Sequence, residues 1–145
     1  MELENLLKQK GLKITDQRKA IVKVLKECGC MLSAREIFDK VKKIIPGVNF
    51  STIYRNLDLM SQKGILCGLM VDTGVSLYGL RSEEGHHHHF VCKGCGRSLA
   101  IDYCPMGLLE KELAKKGFSH TEHQFVVYGF CGSCGTSGGV KAKSY

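Results

Sequence analysis

The segment GHHHHFVCKGCG, residues 85–96, places four consecutive histidines just ahead of a Cys-x-x-Cys pair. Imidazole and thiolate are the side chains that bind zinc and its neighbouring transition metals best. Neither half of the segment can complete a four-coordinate site by itself, so further ligands must come from elsewhere in the chain. The segment therefore predicts metal binding and leaves open how many sites it serves.

A second Cys-x-x-Cys pair, Cys131 and Cys134, follows the first pair, Cys92 and Cys95. Each pair offers two sulfurs from a tight turn that neighbouring glycines permit. Four sulfurs at about 2.3 Å from the ion form a closed tetrahedral zinc site. Because a closed site has no position for a substrate, we predict a structural zinc. A redox-active dithiol is the alternative.

The histidine run is predicted to lie on a strand, where successive side chains point to opposite faces. His87 and His89 then face one way, while His86 and His88 face the other, so one run can feed two metal sites. His123, ahead of a later strand, can join the His86 and His88 side. An expression tag is the competing interpretation, but tags lie at chain termini.

The remaining ligands of these sites are less clear from the sequence. Asp102 offers a carboxylate, and Cys104 is placed to cap the helix that follows it. Cys67 and Cys30 can bring sulfur from the first half of the chain, although a buried core cysteine is the alternative for both. His120 is expected to be a surface residue rather than a ligand.

The first half of the chain contains clear start and stop signals for four helices. The first helix stops at a glycine, the third begins with an S-x-x-E capping box, and Cys28 lies on the apolar stripe of the second, where we expect it in the core. The signals are Gly11 for the first helix, Thr15 and Gly29 for the second, Ser33, Glu36 and Pro46-Gly47 for the third, and Ser51 and Gly64 for the fourth.

Two short apolar runs, ILCGLMV and VSLYGL, follow the helices and are joined by Asp72-Thr73-Gly74, which predicts a β-hairpin. Helices followed by a two-stranded hairpin are the order of a winged helix-turn-helix domain, in which one helix enters the DNA major groove. The fourth helix leaves Thr52, Tyr54, Arg55 and Asn56 outward. Arginine can bind guanine or phosphate, and tyrosine can contact phosphate or a thymine methyl. A solvated helix face is the alternative.

The composition changes after a polar segment, residues 82–85, which we interpret as a hinge. All six histidines and most of the eight cysteines follow it. Two strands flank the first cysteine pair, a helix spans Pro105 to Lys116 with Met106, Leu109 and Leu113 on one face, and QFVVYGF supplies a third strand. The predicted organisation is a DNA-binding domain at 1–81, the hinge, a metal-binding domain at 86–135 and a loose tail at 136–145.

Composition and charge narrow the class of protein. No apolar run among the 145 residues approaches the roughly 20 needed to span a bilayer, and the N-terminus is unlike a signal peptide, so we expect a soluble, cytoplasmic protein. Reduced cytosolic cysteines at paired spacing favour metal binding over disulfides. The formal net charge of +7 favours a polyanionic partner. No HExxH-like motif supports a zinc hydrolase, and we expect no enzymatic activity.

Together the motifs resemble the ferric-uptake-regulator (Fur) family nearly from end to end. The resemblance is carried by GLKITDQR (11–18), LSAREIF (32–38), STIYRNLDLM (51–60), the histidine-rich strand with CKGCG, and HQFVVYGFCGSC (123–134). It implies a homodimeric, metal-dependent DNA-binding repressor without enzymatic activity, which binds a palindromic operator. It also implies an α+β fold, with an N-terminal winged helix and a small α/β dimerisation domain that holds the four-cysteine zinc.

The resemblance also implies roles for particular residues. Lys13 reaches the minor groove of the DNA. The other predicted DNA-binding residues lie in the motifs at 11–18 and 51–60. His87 and His89 match an interdomain regulatory site, and His86, His88 and His123 match a second site. Asp102, Cys104 and Cys67 stay tentative further ligands on the strength of the sequence alone. The predicted DNA-binding residues are Lys13, Thr15, Arg18, Ser51, Thr52, Tyr54 and Arg55.

Departures from the family pattern bear on the regulatory metal. Ala100 and Met106 stand where acidic ligands are common, while imidazoles and spare thiols are kept. Fewer hard oxygen ligands favour Zn(II) over Fe(II). We therefore expect a regulator of zinc uptake, with an iron- or peroxide-responsive regulator as the alternative. A metallochaperone or metal-storage protein is the alternative from another class.

Overall fold

The computed structural model describes residues 3–81 and 87–137, without the side chains of residues 136 and 137. The predicted hinge at 82–85, His86 and residues 138–145 of the predicted tail lie outside these residues. The chain divides into two compact units, Met1–Glu83 and Glu84–Tyr145, and each is described by itself.

The first unit contains four helices and a small sheet. The fourth helix precedes a hairpin, which gives the order of a winged helix-turn-helix. Its elements are α1 (Leu3–Gln9), α2 (Asp16–Cys28), β1 (Leu32–Ser33), α3 (Ala34–Ile44), α4 (Phe50–Gln62), β2 (Leu66–Met70) and β3 (Ser76–Leu80).

Local signals fix most helix ends in this unit. The Thr15 hydroxyl accepts a hydrogen bond from the Arg18 N–H, and Gly29, with a φ of 60°, ends the same helix in the left-handed conformation that glycine adopts at low cost. Ser33 and Glu36 form the predicted capping box. These capping signals are confirmed.

Two expectations for the first unit are wrong. Ser51 does not open the fourth helix, because the Asn49 side chain accepts a hydrogen bond from the Thr52 N–H and starts the helix at Phe50. Cys28 is not a core residue. It is the last residue of α2, it is exposed, and it is joined to Cys30 by a disulfide, which occupies both sulfurs.

A three-stranded sheet of order β1-β3-β2 closes the first unit. β2 and β3 form the predicted antiparallel hairpin, with Leu66 opposite Leu80, and the two-residue strand β1 pairs with β3. Ile53 and Leu57 of α4 are fully buried in the core. Truncating a buried residue such as Ile53 to alanine costs about 2–5 kcal/mol, so this core fixes which face of α4 is outward.

The second unit is built on a three-stranded sheet with two helices. Strand order is β5-β4-β6, with β4 and β5 antiparallel and β4 and β6 parallel. Its elements are β4 (His88–Cys92), β5 (Ser98–Ile101), α5 (Met106–Lys115), β6 (Val126–Gly129) and α6 (Gly132–Ser137).

The parallel pairing of β4 and β6 decides where the candidate ligands meet. His89 is opposite Val126, and Cys92 is opposite Gly129. Because parallel strands run in the same direction, both cysteine pairs follow the carboxyl ends of their strands at one edge of the sheet. His88 and His123 lie towards the amino ends of the same strands, at the other edge.

The helices of this unit differ from the prediction in three respects. Pro105 is the N-cap residue of α5, so Cys104 does not cap it, and no side chain does. Leu109, expected on one face with Met106, is exposed, whereas Met106 is buried. The short helix α6, which carries Cys134, was expected as a tight turn. No helix in the described parts of the chain has both the length and the apolar character that a bilayer span requires.

Candidate metal centres and nucleic-acid surface

The four paired cysteines come together at one edge of the second sheet. The Lys93 N–H donates a hydrogen bond to the Gly129 carbonyl at 2.7 Å, which continues the parallel ladder into the first turn. The sulfurs of Cys92, Cys95, Cys131 and Cys134 all lie within 4.8 Å of one another. The Cys95 and Cys131 sulfurs are 3.8 Å apart, and tetrahedral zinc with bonds of about 2.3 Å requires about 3.8 Å. The donor set therefore fits a zinc ion.

Gly94 allows the two cysteine pairs to approach each other. A Cβ at this position would lie 2.8 Å from both the Cβ and the sulfur of Cys134, which is closer than side-chain atoms pack. Gly96, in the same turn, has a φ of 74° and so adopts a left-handed conformation. The turn between Cys92 and Cys95 therefore requires glycine at Gly94 for space and at Gly96 for backbone geometry.

The cysteines of this group differ in how readily they ionise. The Cys131 N–H donates to the Cys92 sulfur at 3.3 Å, and this bond, followed by that from the Cys95 N–H, lowers the pKa of Cys92 to about 6. Backbone hydrogen bonding also lowers the pKa of Cys131. Hydrogen bonds to Cys131 and Cys92 raise the pKa of Cys134 to about 12. The group favours thiolates at two positions and needs a cation to hold four.

A second donor group lies at the other edge of the sheet and contains His88, Cys104 and His123. One ligand atom from each lies within 4.8 Å of the others. The Cys104 sulfur is 3.3 Å from His123 Nε2, and the His88 and His123 ring centres are 5.3 Å apart. A sulfur and a nitrogen on one tetrahedral zinc are separated by about 3.6 Å. This group also fits a metal ion, with two imidazoles and one thiol as donors.

His89 lies on the opposite face of β4 from His88, and His87 directly precedes the strand. The His87 and His89 ring centres are 4.8 Å apart in an edge-to-face arrangement. Burial, followed by the nearby His87 and His88 rings, lowers the pKa of His89 and so favours its neutral form, which is the form that binds metals. The role of these two residues as donors of a regulatory site stays a prediction.

The other tentative ligands fall outside these groups of the second unit. Asp102 is exposed and belongs to neither group. The Cys67 sulfur lies 3.6 Å from the Gly79 carbonyl across the hairpin, and burial raises the pKa of this thiol. His86 lies outside the described residues. The ligand roles of Asp102, Cys67 and His86 therefore stay predictions.

His120 was expected at the surface but is half-buried beside His123. Their ring centres are 5.5 Å apart, and His120 Nε2 lies 3.5 Å from a carboxylate oxygen of Glu110. The His-x-x-His spacing of residues 120–123 was the signal available in the sequence.

The outward face of α4 is the candidate nucleic-acid surface of the first unit. Tyr54 is 47% exposed, and Arg55 and Ser51 are also exposed. Thr52 is half-buried and lies in the first turn of the helix, where its N–H is capped by Asn49. Lys13, on the loop before α2, is exposed. The side chains of Ser51, Tyr54, Arg55 and Lys13 are therefore exposed at the surface of the first unit.

Arg18 has an internal role that the sequence did not suggest. Its Nε donates to the Asn56 side chain at 3.0 Å, and one terminal nitrogen donates to the Lys13 carbonyl at 2.6 Å. Asn56, expected outward, is half-buried and also donates to the Thr52 carbonyl. Arg18 therefore links α4 to the loop that carries Lys13, and direct DNA contact by Arg18 and Thr15 stays a prediction.

We compared the sequence and the fold with those of known proteins to assign the chain to a family. The sequence model of the ferric uptake regulator family matches residues 9–128. This chain belongs to the ferric uptake regulator family. It is therefore a metal-responsive transcription regulator, and the winged-helix unit followed by a small α/β unit is the fold of that family. The family assignment and the fold class predicted from the sequence are both confirmed.

Individual relatives agree with this assignment. A ferric uptake regulation protein from Staphylococcus epidermidis is 36% identical over 129 residues, which cover 89% of this chain and 91% of that protein. The solved Vibrio cholerae ferric uptake regulator (Fur) matches with a TM-score of 0.73 and 31% identity, covering 90% of this chain and 100% of that one. A zinc-bound manganese uptake regulator matches with a TM-score of 0.74 and 26% identity, covering 90% and 99%.

Proposed function

We propose that this family member is a zinc-responsive repressor of zinc-uptake genes, which binds a palindromic operator as a homodimer. The observation that carries the choice of metal is the group formed by His88, Cys104 and His123. Two imidazoles and a thiolate suit zinc, whereas carboxylate oxygens, which suit harder ions, are missing from this group as far as the described residues show.

Two kinds of metal site have separate tasks in this proposal. Cys92, Cys95, Cys131 and Cys134 hold a structural zinc, because four thiolates leave no position open. His88, Cys104 and His123 hold the regulatory zinc, with His86 as a further donor expected from its place on the same face of the strand. His87 and His89 belong to a further regulatory site, for which the sequence offers Cys67 as a tentative sulfur ligand.

An exposed apolar row on the second sheet supports dimerisation through this unit. Leu99 and Val127 are both in register with Phe90, on either side of β4, so the three side chains share one face. Leu99 is 66% exposed and Val127 is 50% exposed. Leu108 of α5 is also exposed. Apolar side chains exposed together mark an interaction surface, and two copies would cover them in a homodimer.

DNA recognition is assigned to α4 and the loop before α2. Tyr54 and Arg55 face outward on a helix that is fixed by its buried residues, and Lys13 is held near it through Arg18. Two such helices related by a two-fold axis bind half-sites about one helical turn of DNA apart. This geometry requires a palindromic operator.

Regulation follows from linkage between metal and DNA binding. Without the regulatory metal, the arrangement of the dimer that binds DNA is rare. This arrangement becomes dominant if the metal binds it in preference to the others. Moving the population from 1:99 to 99:1 requires about 5.5 kcal/mol of differential binding. A transition-metal site with several ligands can supply this free energy.

The test is operator binding of protein that retains only its four-cysteine zinc, titrated with Zn(II), Fe(II), Mn(II) and Ni(II) at buffered free concentrations. We expect Zn(II) to restore tight binding at the lowest free concentration. Tight binding at physiological Fe(II), with no response to Zn(II), would contradict the choice of zinc. Equal affinity with and without regulatory metal would contradict metal dependence altogether.

A double substitution separates a regulator from a protein that only stores metal. Tyr54→Ala with Arg55→Ala should weaken operator binding by about a hundredfold or more, because each base contact is worth about 1–3 kcal/mol. Lys63→Ala, at the C-cap of the same helix, is the matched control. Metal content should stay the same in both variants.

Iron-responsive regulation is the second candidate, because curated relatives such as the Staphylococcus epidermidis protein are named ferric uptake regulation proteins. The same metal titration decides between the two metals.

A further inference from the structure

An aromatic side chain is exposed at the start of α4, the helix to which DNA recognition is assigned. Phe50 is the first residue of this helix and is 38% exposed. Its ring centre lies 6.2 Å from that of Tyr54, which follows about one helical turn later. Residues at this spacing lie on the same face of a helix. Phe50 therefore extends the face of α4 that carries Tyr54 by an apolar ring.

Phe38 of α3 holds the Phe50 ring in place. Phe38 is buried, and its ring meets that of Phe50 edge-to-face, with the ring centres 5.5 Å apart and the planes at 79°. This is a favourable arrangement of two aromatic rings. One side of the Phe50 ring is thus fixed by packing, while the rest is open to a ligand. A side chain that is already held loses less conformational entropy when it binds.

Two cations of α3 lie beside this pair of rings. The guanidinium carbon of Arg35 is 5.6 Å from the centre of the Phe38 ring, and Lys42 Nζ is 5.5 Å from it. Both residues are exposed. In a helix-turn-helix, the helix before the recognition helix crosses the phosphate backbone. Positive charge next to the exposed ring therefore favours DNA as its partner over an apolar protein surface.

The chemistry of phenylalanine limits what this ring can recognise on DNA. It has no group that could form a hydrogen bond to a base edge or to a phosphate oxygen. Thymine alone among the bases presents a methyl group in the major groove, and apolar side chains such as phenylalanine contact it. The first residues of a recognition helix are those that reach the base edges.

We propose that Phe50 contacts the C5 methyl group of a thymine in the major groove, and so selects thymine at one position of each operator half-site. The inference rests on the proposed function, because α4 must lie in the groove. It adds a residue that reads sequence to the surface assigned there. If Phe50 only covers the core next to Phe38, the methyl group should have no effect on binding.

The test removes the methyl group from the DNA and the ring from the protein. Full-length, zinc-loaded protein first selects an operator from duplexes of random sequence, and each thymine is then replaced in turn by deoxyuridine, which lacks only the methyl group. We expect one thymine in each half-site whose replacement weakens binding by about fourfold, the effect of losing one buried methyl group.

Variants of Phe50 should alter this methyl effect. Phe50→Ala should bind the thymine and deoxyuridine operators equally, and Phe50→Gln should do the same. Phe50→Leu, which keeps an apolar side chain, should keep a preference for thymine. Met70→Ala, which removes an exposed apolar side chain from β2, is the matched control and should keep the full effect.

The outcomes separate this inference from the proposed function. If the unaltered protein selects no DNA sequence, the proposed function fails first. If it selects an operator in which no deoxyuridine replacement weakens binding, or in which every methyl effect persists in Phe50→Ala, the proposed function stands and Phe50 does not read a methyl group. An unchanged zinc content and an unchanged unfolding temperature show that the variants remain folded.

Discussion

The two ends of the β4–β6 strand pair carry candidate metal centres of different character. At the carboxyl ends, four thiols lie within reach of one ion, and backbone hydrogen bonds already favour thiolates at Cys92 and Cys131. At the amino ends, His88, Cys104 and His123 form a mixed group of three donors. Among the described residues, the same pair of strands thus supports one set of four donors and one set of three.

The difference indicates how a single small sheet can combine stability with response. A closed set of four thiolates binds zinc tightly and releases it slowly, so its binding free energy contributes to folding. A mixed set with fewer thiolates binds more weakly and depends on additional ligands. Its occupancy can therefore follow the metal concentration, as a regulatory site requires.

Substitution at the thiolate end should have the largest effect. Cys95→Ser removes one of four ligands, and because structural zinc sites supply on the order of 10 kcal/mol to folding, we expect loss of the ion and unfolding of the second unit. Metal analysis and thermal unfolding would measure both. Cys104→Ser, a thiol substitution at the other end, is the control and should retain the structural zinc. A Cys95→Ser protein with full zinc content and unchanged unfolding would contradict the assignment.

Acidity should weaken the thiolate end steeply. The logarithm of zinc affinity rises with pH by the number of protons that binding displaces. Since the pKa of Cys92 is lowered to about 6, this thiol is already ionised above that pH, and the slope should be at most about three. Below that pKa Cys92 must also lose a proton, so the slope should approach about four.

Competition with a chelator would measure the slope of log zinc affinity against pH. The measurements should run from about one pH unit below the lowered pKa of Cys92 to about two units above it. A slope that stays at its low-pH value throughout the range would show that Cys92 is not ionised early in the metal-free protein.

Substitution at the histidine end should affect response rather than stability. Cys104→Ser replaces the thiol of this group, and loss of a ligand should weaken regulatory zinc binding by about a hundredfold or more. Operator binding should then need correspondingly more free zinc, while the unfolding temperature stays close to that of the unaltered protein. Glu112→Gln, an exposed position on α5, controls for a general change in the second unit. An unchanged zinc response of operator binding in Cys104→Ser would show that Cys104 is not a ligand of the regulatory site.

Crowding at the first cysteine turn should give the smallest effect. Gly94→Ala places a Cβ 2.8 Å from Cys134, and the shift that relieves this clash should destabilise the zinc-bound unit by about 1–3 kcal/mol. Gly107→Ala in α5 is the control, because a Cβ there meets nothing within 4 Å. Alanine stabilises a helix relative to glycine by about 0.5–1 kcal/mol. Equal stability in both variants would show that the turn tolerates a wider approach.

Some elements were predictable because their determinants are local. Ser33 and Glu36 cap α3 through neighbouring backbone groups, and the Asp72-Thr73-Gly74 turn joins two strands adjacent in sequence. Errors arose where two local signals compete. Asn49 and Ser51 are both good capping residues, and only the position of the Thr52 N–H in the folded chain selects Asn49.

The sequence by itself determined the family, the order of the elements and the chemical identity of the donors, because motifs and spacings are properties of the chain alone. Tertiary structure decided which donors meet. The parallel register of β4 and β6 brings Cys92 to Gly129 and thereby joins the two cysteine pairs. The loop after α5 brings His123 together with Cys104 and His88 at the opposite edge. Contacts between residues distant in sequence depend on strand direction and packing, which no local pattern encodes.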